Sequence, residues 1–277
     1  MNKSISSGFV NVDMITGGFY PSEVTVIGAR PAVGKTAFLT SIINHVCLNE
    51  KVPAVYFSLE MNKEQSQNRL LSQLTGIENK RLRAGILYSA QQEKLKEAIE
   101  SLNEASLIVD DTPGLKIEEL CNKAKQYVEE ASAKIIFIDY IGLISTKNED
   151  APVYEQQSEI IKKLKFLAKE LNIPVVITCQ LARAEERPCL KQLRGTGLIE
   201  DVADVIILLH REIEPEQSEN AISNMHLSVT TTQENFKLEY INNFYAKCSE
   251  FGKPDLSWNY LNRAPSKGKF QISLLFI

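Results

Sequence analysis

A short apolar run, Val24-Thr25-Val26-Ile27, leads into Ala29-Arg30-Pro31-Ala32-Val33-Gly34-Lys35-Thr36, and that loop leads into an apolar, helix-compatible stretch from Ala37 to Val46. The order of strand, small-residue loop and helix is what a phosphate-binding loop requires. Backbone N–H groups of such a loop cradle phosphates, and the helix N-terminus adds a favourable field. A lysine reaches the β- and γ-phosphates, and a hydroxyl holds Mg²⁺. Lys35 and Thr36 stand in those last two places. Ala29 occupies the position of the pattern's first glycine, and alanine keeps the turn provided its φ stays negative. The loop narrows the chain to nucleoside-triphosphate chemistry on an α/β framework.

The rest of the chain supplies that framework. Near-continuous apolar runs at 24–27, 54–58, 107–110, 135–139, 175–179 and 205–209 read as strands covered on both faces. Helical patterns fall between them at 36–48, 63–75, 91–104, 116–131 and 154–171. Pro53 and Pro174 sit just before strands, where a helix could not continue. The pattern predicts a mostly parallel sheet wrapped by helices. After residue 211 the character changes. Residues 212–224 are polar and read as a loop. The β-rich pieces at 226–232, 236–240 and 270–276 are expected to extend the sheet with antiparallel strands.

Composition adds exclusions. The 277 residues carry a net charge of −4, so no global basic field announces a nucleic-acid partner and any such surface must be local. Cys47, Cys121, Cys179, Cys189 and Cys248 are dispersed and form no C-x-x-C pair, which argues for core packing in a reducing compartment rather than a disulfide framework. No apolar signal region follows Met1, and no apolar run is long enough to span a bilayer.

A phosphate loop needs partners at the same sheet edge. The strand at 135–139 ends in Asp139, placed to hold the metal or its waters, though a strand can also end in Asp for capping alone. The strand at 54–58 runs into Leu59-Glu60, which nominates Glu60 to polarise an attacking water; a charge at a helix start is the alternative. The strand at 175–179 is followed by Gln180, a neutral amide able to sense a γ-phosphate, or simply a surface polar residue.

These residues sit in longer motifs. They are Ser7-Gly8-Phe9 with Asp13 and Thr16-Gly17-Gly18, the phosphate loop, Ser58-Leu59-Glu60-Met61, Asp110-Asp111-Thr112-Pro113-Gly114-Leu115, Ile138-Asp139-Tyr140-Ile141-Gly142-Leu143-Ile144, Cys179-Gln180-Leu181, and Leu193-Arg194 through Gly197, Ile199-Glu200-Asp201 and Ala203-Asp204. In this order and spacing, over about residues 6–211, the chain resembles the ATPase domain of DnaB-type replicative helicases. The Ala-Arg-Pro form of the loop is part of the likeness.

The resemblance implies a RecA-like P-loop NTPase fold, ATP and Mg²⁺ at subunit interfaces, a hexameric ring, and 5′ to 3′ translocation on single-stranded DNA in the cytoplasm. It implies that Ala29 to Thr36 (Ala29, Arg30, Pro31, Ala32, Val33, Gly34, Lys35, Thr36) bind nucleotide with Arg69 and Asp139. Thr36 and Asp139 would hold the metal, and Lys35, Glu60 and Gln180 would act in catalysis. Arg194, Gly195, Thr196 and Gly197 match a DNA-contacting loop, with Gly195 where the family has glutamate. Arg183, Arg187 and Lys191 just upstream could form a small basic rim. The family's trans-acting Lys-x-Arg pair has two placements here. One keeps Arg263 with Leu261 at the lysine position. The other keeps Lys247 with Ser249 at the arginine position, and Arg263 is favoured.

Residues 1–277 are expected to form one ATPase domain, with a core over 6–211 and a divergent β-rich extension over 212–277. The family's N-terminal helical domain and linker helix are expected to be absent, so primase interaction is not expected. Two readings stand: a helicase motor, and a RecA-like ATP-dependent DNA-binding or assembly module without unwinding activity. A small-molecule kinase fits poorly, since no acceptor-binding lid is visible.

Overall fold

The computed structural model describes residues 3–148, 150–182, 188–189, 192–193, 198–211, 222–231, 236–245 and 250–251, with 222–224, 226, 236–245 and 250–251 as backbone only. One sheet contains every named strand. The strands are β1 (Val24–Ala29), β2 (Ala54–Ser58), β3 (Leu107–Asp110), β4 (Ile135–Asp139), β5 (Val175–Gln180), β6 (Val205–Arg211), β7 (Ile222–Thr231), β8 (Phe236–Tyr245) and β9 (Glu250–Phe251). Their order is β3-β2-β4-β5-β1-β6-β7-β8-β9. The first six are parallel, and β7, β8 and β9 continue the sheet antiparallel. The sheet is therefore mostly parallel with antiparallel C-terminal strands.

The helices are α1 (Val10–Thr16), α2 (Lys35–Asn44), α3 (Lys63–Thr75), α4 (Asn79–Ala84), α5 (Ser89–Glu104), α6 (Ile117–Ala131), α7 (Val153–Leu171) and α8 (Ile199–Val202). They cover both faces and create two core layers. Alternate residues of each central strand feed alternate layers. In β4, Ile136 and Ile138 join Leu120 of α6 and Leu164 of α7, while Ile135 and Phe137 join Phe38 and Ile42 of α2 and Leu70 of α3. Both faces are dry, which is why these strands read as unbroken apolar runs. Burial of this apolar surface is the dominant favourable term in folding.

Three strands run further than the apolar runs indicate. β1 reaches Ala29, β5 reaches Gln180 and β6 reaches Arg211, since Ala29 pairs with both Gln180 and Leu209 and Arg211 pairs with Met225. The ladder, not hydrophobicity, sets these ends. The expected loop over 212–224 is corrected in its last three residues, because β7 begins at Ile222 opposite Tyr245. The expected strand at 270–276 lies outside the described residues. Helices α1, α4 and α8 are additions, and α2 runs on into a π-helical turn, His45–Asn49.

At the sheet edge where β1 begins, Asp204 accepts hydrogen bonds from Val24 N at 2.7 Å and from Lys165 Nζ at 2.8 and 2.6 Å. This joins β1, α7 and the start of β6 into one frame. Cys47, Cys121, Cys179 and Cys189 are free thiols, with Cys47 and Cys179 buried. Burial pushes the Cys47 thiol up to about 12.

Candidate active site

Parallel register brings the chemistry to the opposite edge, where β1, β2, β4, β5 and β6 all end. The phosphate loop leaves β1 and turns on Ala32, at φ 61°, and Gly34, at φ 117°. Gly34 is the N-terminal flank of α2, and a backbone so far into the left-handed region favours glycine. Ala29 is still in the strand, so the alanine at that position meets no strain.

The loop walls a cleft of ≈ 390 Å³ whose lining residues include Ala29, Arg30, Pro31, Ala32, Gly34, Lys35, Thr36 and Ala37. Glu60, Arg69, Gln180 and Arg211 complete it. Val33 differs: its side chain is buried in the core layer beside α2.

Lys35 is the first residue of α2 and its side chain is 9% exposed. Its Nζ lies 3.2 Å from Asp139 Oδ1, 3.6 Å from Glu60 Oε2, and 4.0 Å from the centroid of the Tyr140 ring. Asp139 closes β4 and its side chain is 1% exposed. Thr178 of β5 donates its hydroxyl to the same Asp139 Oδ1. The other oxygen, Oδ2, is buried with no hydrogen-bond partner among the described residues. Burial first, and then the nearby Glu60 and Asp139 carboxylates, raise the Tyr140 hydroxyl above its ordinary pKa.

Glu60 is half exposed, but its backbone is fixed. Leu59 N and Glu60 N donate to the Asp139 carbonyl at 2.9 and 3.3 Å. Ser58 Oγ donates to Met61 O at 2.7 Å. Asn62 caps α3 by accepting from Gln65 N, and Gln65 reciprocates at Asn62 N. Lys63 N donates to Asp111 Oδ2 at 2.7 Å, so the Asp110-Asp111-Thr112 run braces the strand-to-helix turn that carries Glu60.

Asp110 itself is buried. Desolvation pushes its carboxyl up, but hydrogen bonds from Lys123, Thr112 and Tyr127 outweigh this and lower it to about 2.

Arg69 of α3 presents a buried Nε that has no hydrogen-bond partner among the described residues. Arg211, which the sequence reading did not single out, ends β6 in the cleft wall, and burial lowers its pKa. Only the sheet order, with β6 beside β1, reveals it. Arg263 and the DNA-loop residues Arg194, Gly195, Thr196 and Gly197 lie outside the described residues, as do the rim residues Arg183, Arg187 and Lys191.

A magnesium ion among phosphates takes one or two protein oxygens and fills the rest of its shell with phosphate and water. Thr36 in the cleft wall and the unpartnered Asp139 Oδ2 fit that demand. Among the described residues no cluster of three His, Cys, Asp or Glu forms a metal cage. No described helix is long and apolar enough to cross a membrane.

Comparison with known proteins agrees with this geometry. Residues 4–248 match the family model of the DnaB-like helicase C terminal domain. The replicative DNA helicase DnaB of Treponema pallidum (strain Nichols) is 38% identical over 210 residues, covering 75% of this chain and 48% of that protein. The replicative DNA helicase DnaC of Bacillus subtilis (strain 168) is 36% identical over 214 residues, covering 75% and 47%. The chain thus spans about half the length of the curated relatives it matches. Among solved structures, a DnaB-like replicative helicase, described with its interactions with primase, superposes with a TM-score of 0.83 at 25% identity, covering 92% of this chain and 62% of that one. A second solved structure, described as an ATPase domain, also gives 0.83 at 25% identity, covering 92% of both chains. The parallel sheet, the phosphate loop and the carboxylates gathered at its mouth, together with these matches, place the chain in the DnaB-like helicase C-terminal domain family.

Proposed function

We propose that this chain is a replicative-type DNA helicase motor: it binds ATP with Mg²⁺, hydrolyses it, and uses the cycle to move along single-stranded DNA and separate duplex. The observation that carries the reading is Lys35, held at the mouth of the phosphate loop between Asp139 at 3.2 Å and Glu60 at 3.6 Å. One cation and two carboxylates of unequal exposure divide the work of triphosphate hydrolysis. Lys35 neutralises charge on the β- and γ-phosphates. Thr36 and Asp139 hold Mg²⁺, which supplies further charge stabilisation to the transferring phosphoryl group. Glu60, the exposed carboxylate, orients and deprotonates the attacking water. Gln180, opposite Ala29 in the ladder, reports on the γ-phosphate, and Arg69 and Arg211 supply positive charge along the cleft.

The DNA contact belongs to Arg194, Gly195, Thr196 and Gly197, where glycines let backbone N–H groups approach phosphates. Arg263 is the proposed arginine finger delivered to a neighbouring subunit, which requires a homo-oligomer, and a hexameric ring is the form proposed. Residues 1–277 act as a single ATPase domain in this reading, in the cytoplasm.

A forked-duplex assay tests the proposal. ATP-dependent strand separation, lost in Lys35→Ala, supports it. DNA binding and ATP hydrolysis with no separation under any condition refutes the motor and leaves an ATP-dependent DNA-binding module.

A further inference from the structure

Lys35 is held by more than charge. Its ammonium lies 4.0 Å from the centroid of the Tyr140 ring, besides its two carboxylate neighbours, Asp139 Oδ1 at 3.2 Å and Glu60 Oε2 at 3.6 Å. The face of an aromatic ring attracts a cation through its quadrupole, and the attraction grows where water is excluded. The lysine side chain is 9% exposed, so this contact sits at the desolvated end of that range.

The segment after β4 keeps the ring in place. Tyr140 leads into a short 3₁₀ turn, Ile141–Leu143, and Leu143 N donates to the Tyr140 carbonyl at 3.1 Å. Ile141 and Ile144 are buried in the core layer that α6 and α7 cover, which pins the turn. Between them Gly142 carries no side chain. A Cβ there would lie 2.7 Å from Tyr140 Cε2, closer than packed carbon atoms come. Gly142 is not in the left-handed region, so what glycine supplies here is room for the ring.

A ring and a carboxylate hold an ammonium differently. Asp139 and Glu60 carry charge of the same sign as a triphosphate, so each competes with phosphate for Lys35. The ring is neutral: it fixes the ammonium and leaves its charge available. A lysine side chain loses rotamer freedom when it is fixed, and a contact made before the ligand arrives removes part of that cost from binding.

We infer that Tyr140 is a positioning residue which holds Lys35 for the phosphates through the face of its ring, with Gly142 leaving the ring its seat. The inference rests on the reading of Lys35 as a phosphate-binding residue.

The test uses the whole chain and ribose-labelled fluorescent ATP with Mg²⁺, with Kd read by titration. Tyr140→Leu removes the ring and should weaken affinity by roughly tenfold, within the range of about 2- to 30-fold that such contacts span. Tyr140→Phe keeps the face and should stay within about twofold of the wild type. Phenylalanines bearing one, two or three ring fluorines at position 140 keep the shape nearly constant while draining electron density from the face. Affinity should fall stepwise along that series, and the most fluorinated ring should approach Tyr140→Leu. A ring that only fills space would not respond to fluorine. Gly142→Ala adds one methyl in the space the ring occupies and should weaken binding by a factor comparable to that of Tyr140→Leu.

A flat response to fluorination overturns the inference, and so does wild-type affinity in Tyr140→Leu or in Gly142→Ala. Lys35→Ala separates the two layers. If it leaves the affinity for MgATP intact, the phosphate role of Lys35 itself fails. If it abolishes binding while the fluorinated series is flat, only the role of the ring fails.

Discussion

Lys35→Met is the substitution whose consequence the structure specifies most fully, because Lys35 pairs with a buried carboxylate in addition to its proposed role at the phosphates. Methionine keeps the length and apolar stem of the side chain and deletes the charge. The Asp139 carboxylate, 1% exposed, then keeps one hydrogen bond from Thr178 and loses its nearest cation. Removing one member of a buried ion pair costs about 3–5 kcal/mol, because an uncompensated charge stays behind. Thr178 retains its bond and half-exposed Glu60 gives up little, so the lower end, about 3 kcal/mol, is expected. At roughly 2–4 °C per kcal/mol for a domain of this size, the melting temperature should fall by about 6–12 °C. Urea and thermal unfolding in buffer without nucleotide or Mg²⁺ measure this directly. A cycle with Asp139→Asn isolates the pair. Once the buried charge is gone, deleting the lysine should cost less, giving a coupling of at least roughly 1 kcal/mol. A Lys35→Met protein that melts with the wild type, or a cycle that is simply additive, would falsify the claim that Lys35 and Asp139 stabilise each other. Loss of ATP binding in Lys35→Met could then be assigned to the phosphate contact alone.

Other expectations are simpler. Glu60→Gln should retain nucleotide affinity while single-turnover hydrolysis falls by about 10²–10⁴, the usual contribution of a positioned general base; normal turnover would remove Glu60 from catalysis. Asp204→Ala leaves buried Val24 N and the Lys165 ammonium without their shared acceptor, so about 2–4 kcal/mol of stability should disappear in urea unfolding. Nucleotide affinity of the folded protein should be unaffected, since Asp204 lies at the far edge of the sheet. Asp110, lowered from 3.8 to about 2, contributes stability that is fully present above the unfolded value and is lost as pH falls through the folded one. Between about pH 4.5 and pH 2 that loss amounts to about 2 kcal/mol, and Asp110→Asn should flatten the pH dependence of unfolding in this window.

How much of this was legible in the sequence differs by residue. Strands buried on both faces announce themselves, so β2 and β4 match their apolar runs residue for residue, as does the partly buried edge strand β3. Helix α3 was equally plain, since Asn62 and Gln65 form its capping box and Gly76 ends it in the left-handed region. Ala29, Gln180 and Arg211 could not be assigned to strands from hydropathy, because their pairing partners are far away in the chain. Asp204 is instructive in another way. As part of an ordered motif it read as a sign of the family, yet its contacts are those of a structural clamp between β1, α7 and β6. Asp111 likewise stood in a family run with no role attached, and the structure gives it one at the start of α3. Arg211 entered the cleft only through sheet order, which local sequence does not encode.

The same sheet order explains why the site had to be assembled from such distant residues. β1 lies between β5 and β6, while β2, the next strand in sequence, is three places away beyond β5 and β4. The crossover through α2 therefore carries the chain over two strand positions before Glu60 appears. Those positions are filled later by β4 and β5, which insert Asp139 and Thr178 between the phosphate loop and Glu60. Ser58 pairs with Asp139, and Ala29 with Gln180, so the strand ends form one continuous row in which no side chain needs a long reach. A one-residue slip of β4 would reverse every side chain on that strand, sending Asp139 to the wrong face and Phe137 and Ile138 into the wrong core layers. Core packing thus enforces the register that catalysis needs. The buried carboxylate at the end of β4 is tolerable because β5 delivers Thr178 to it and the start of α2, just past β1, delivers Lys35.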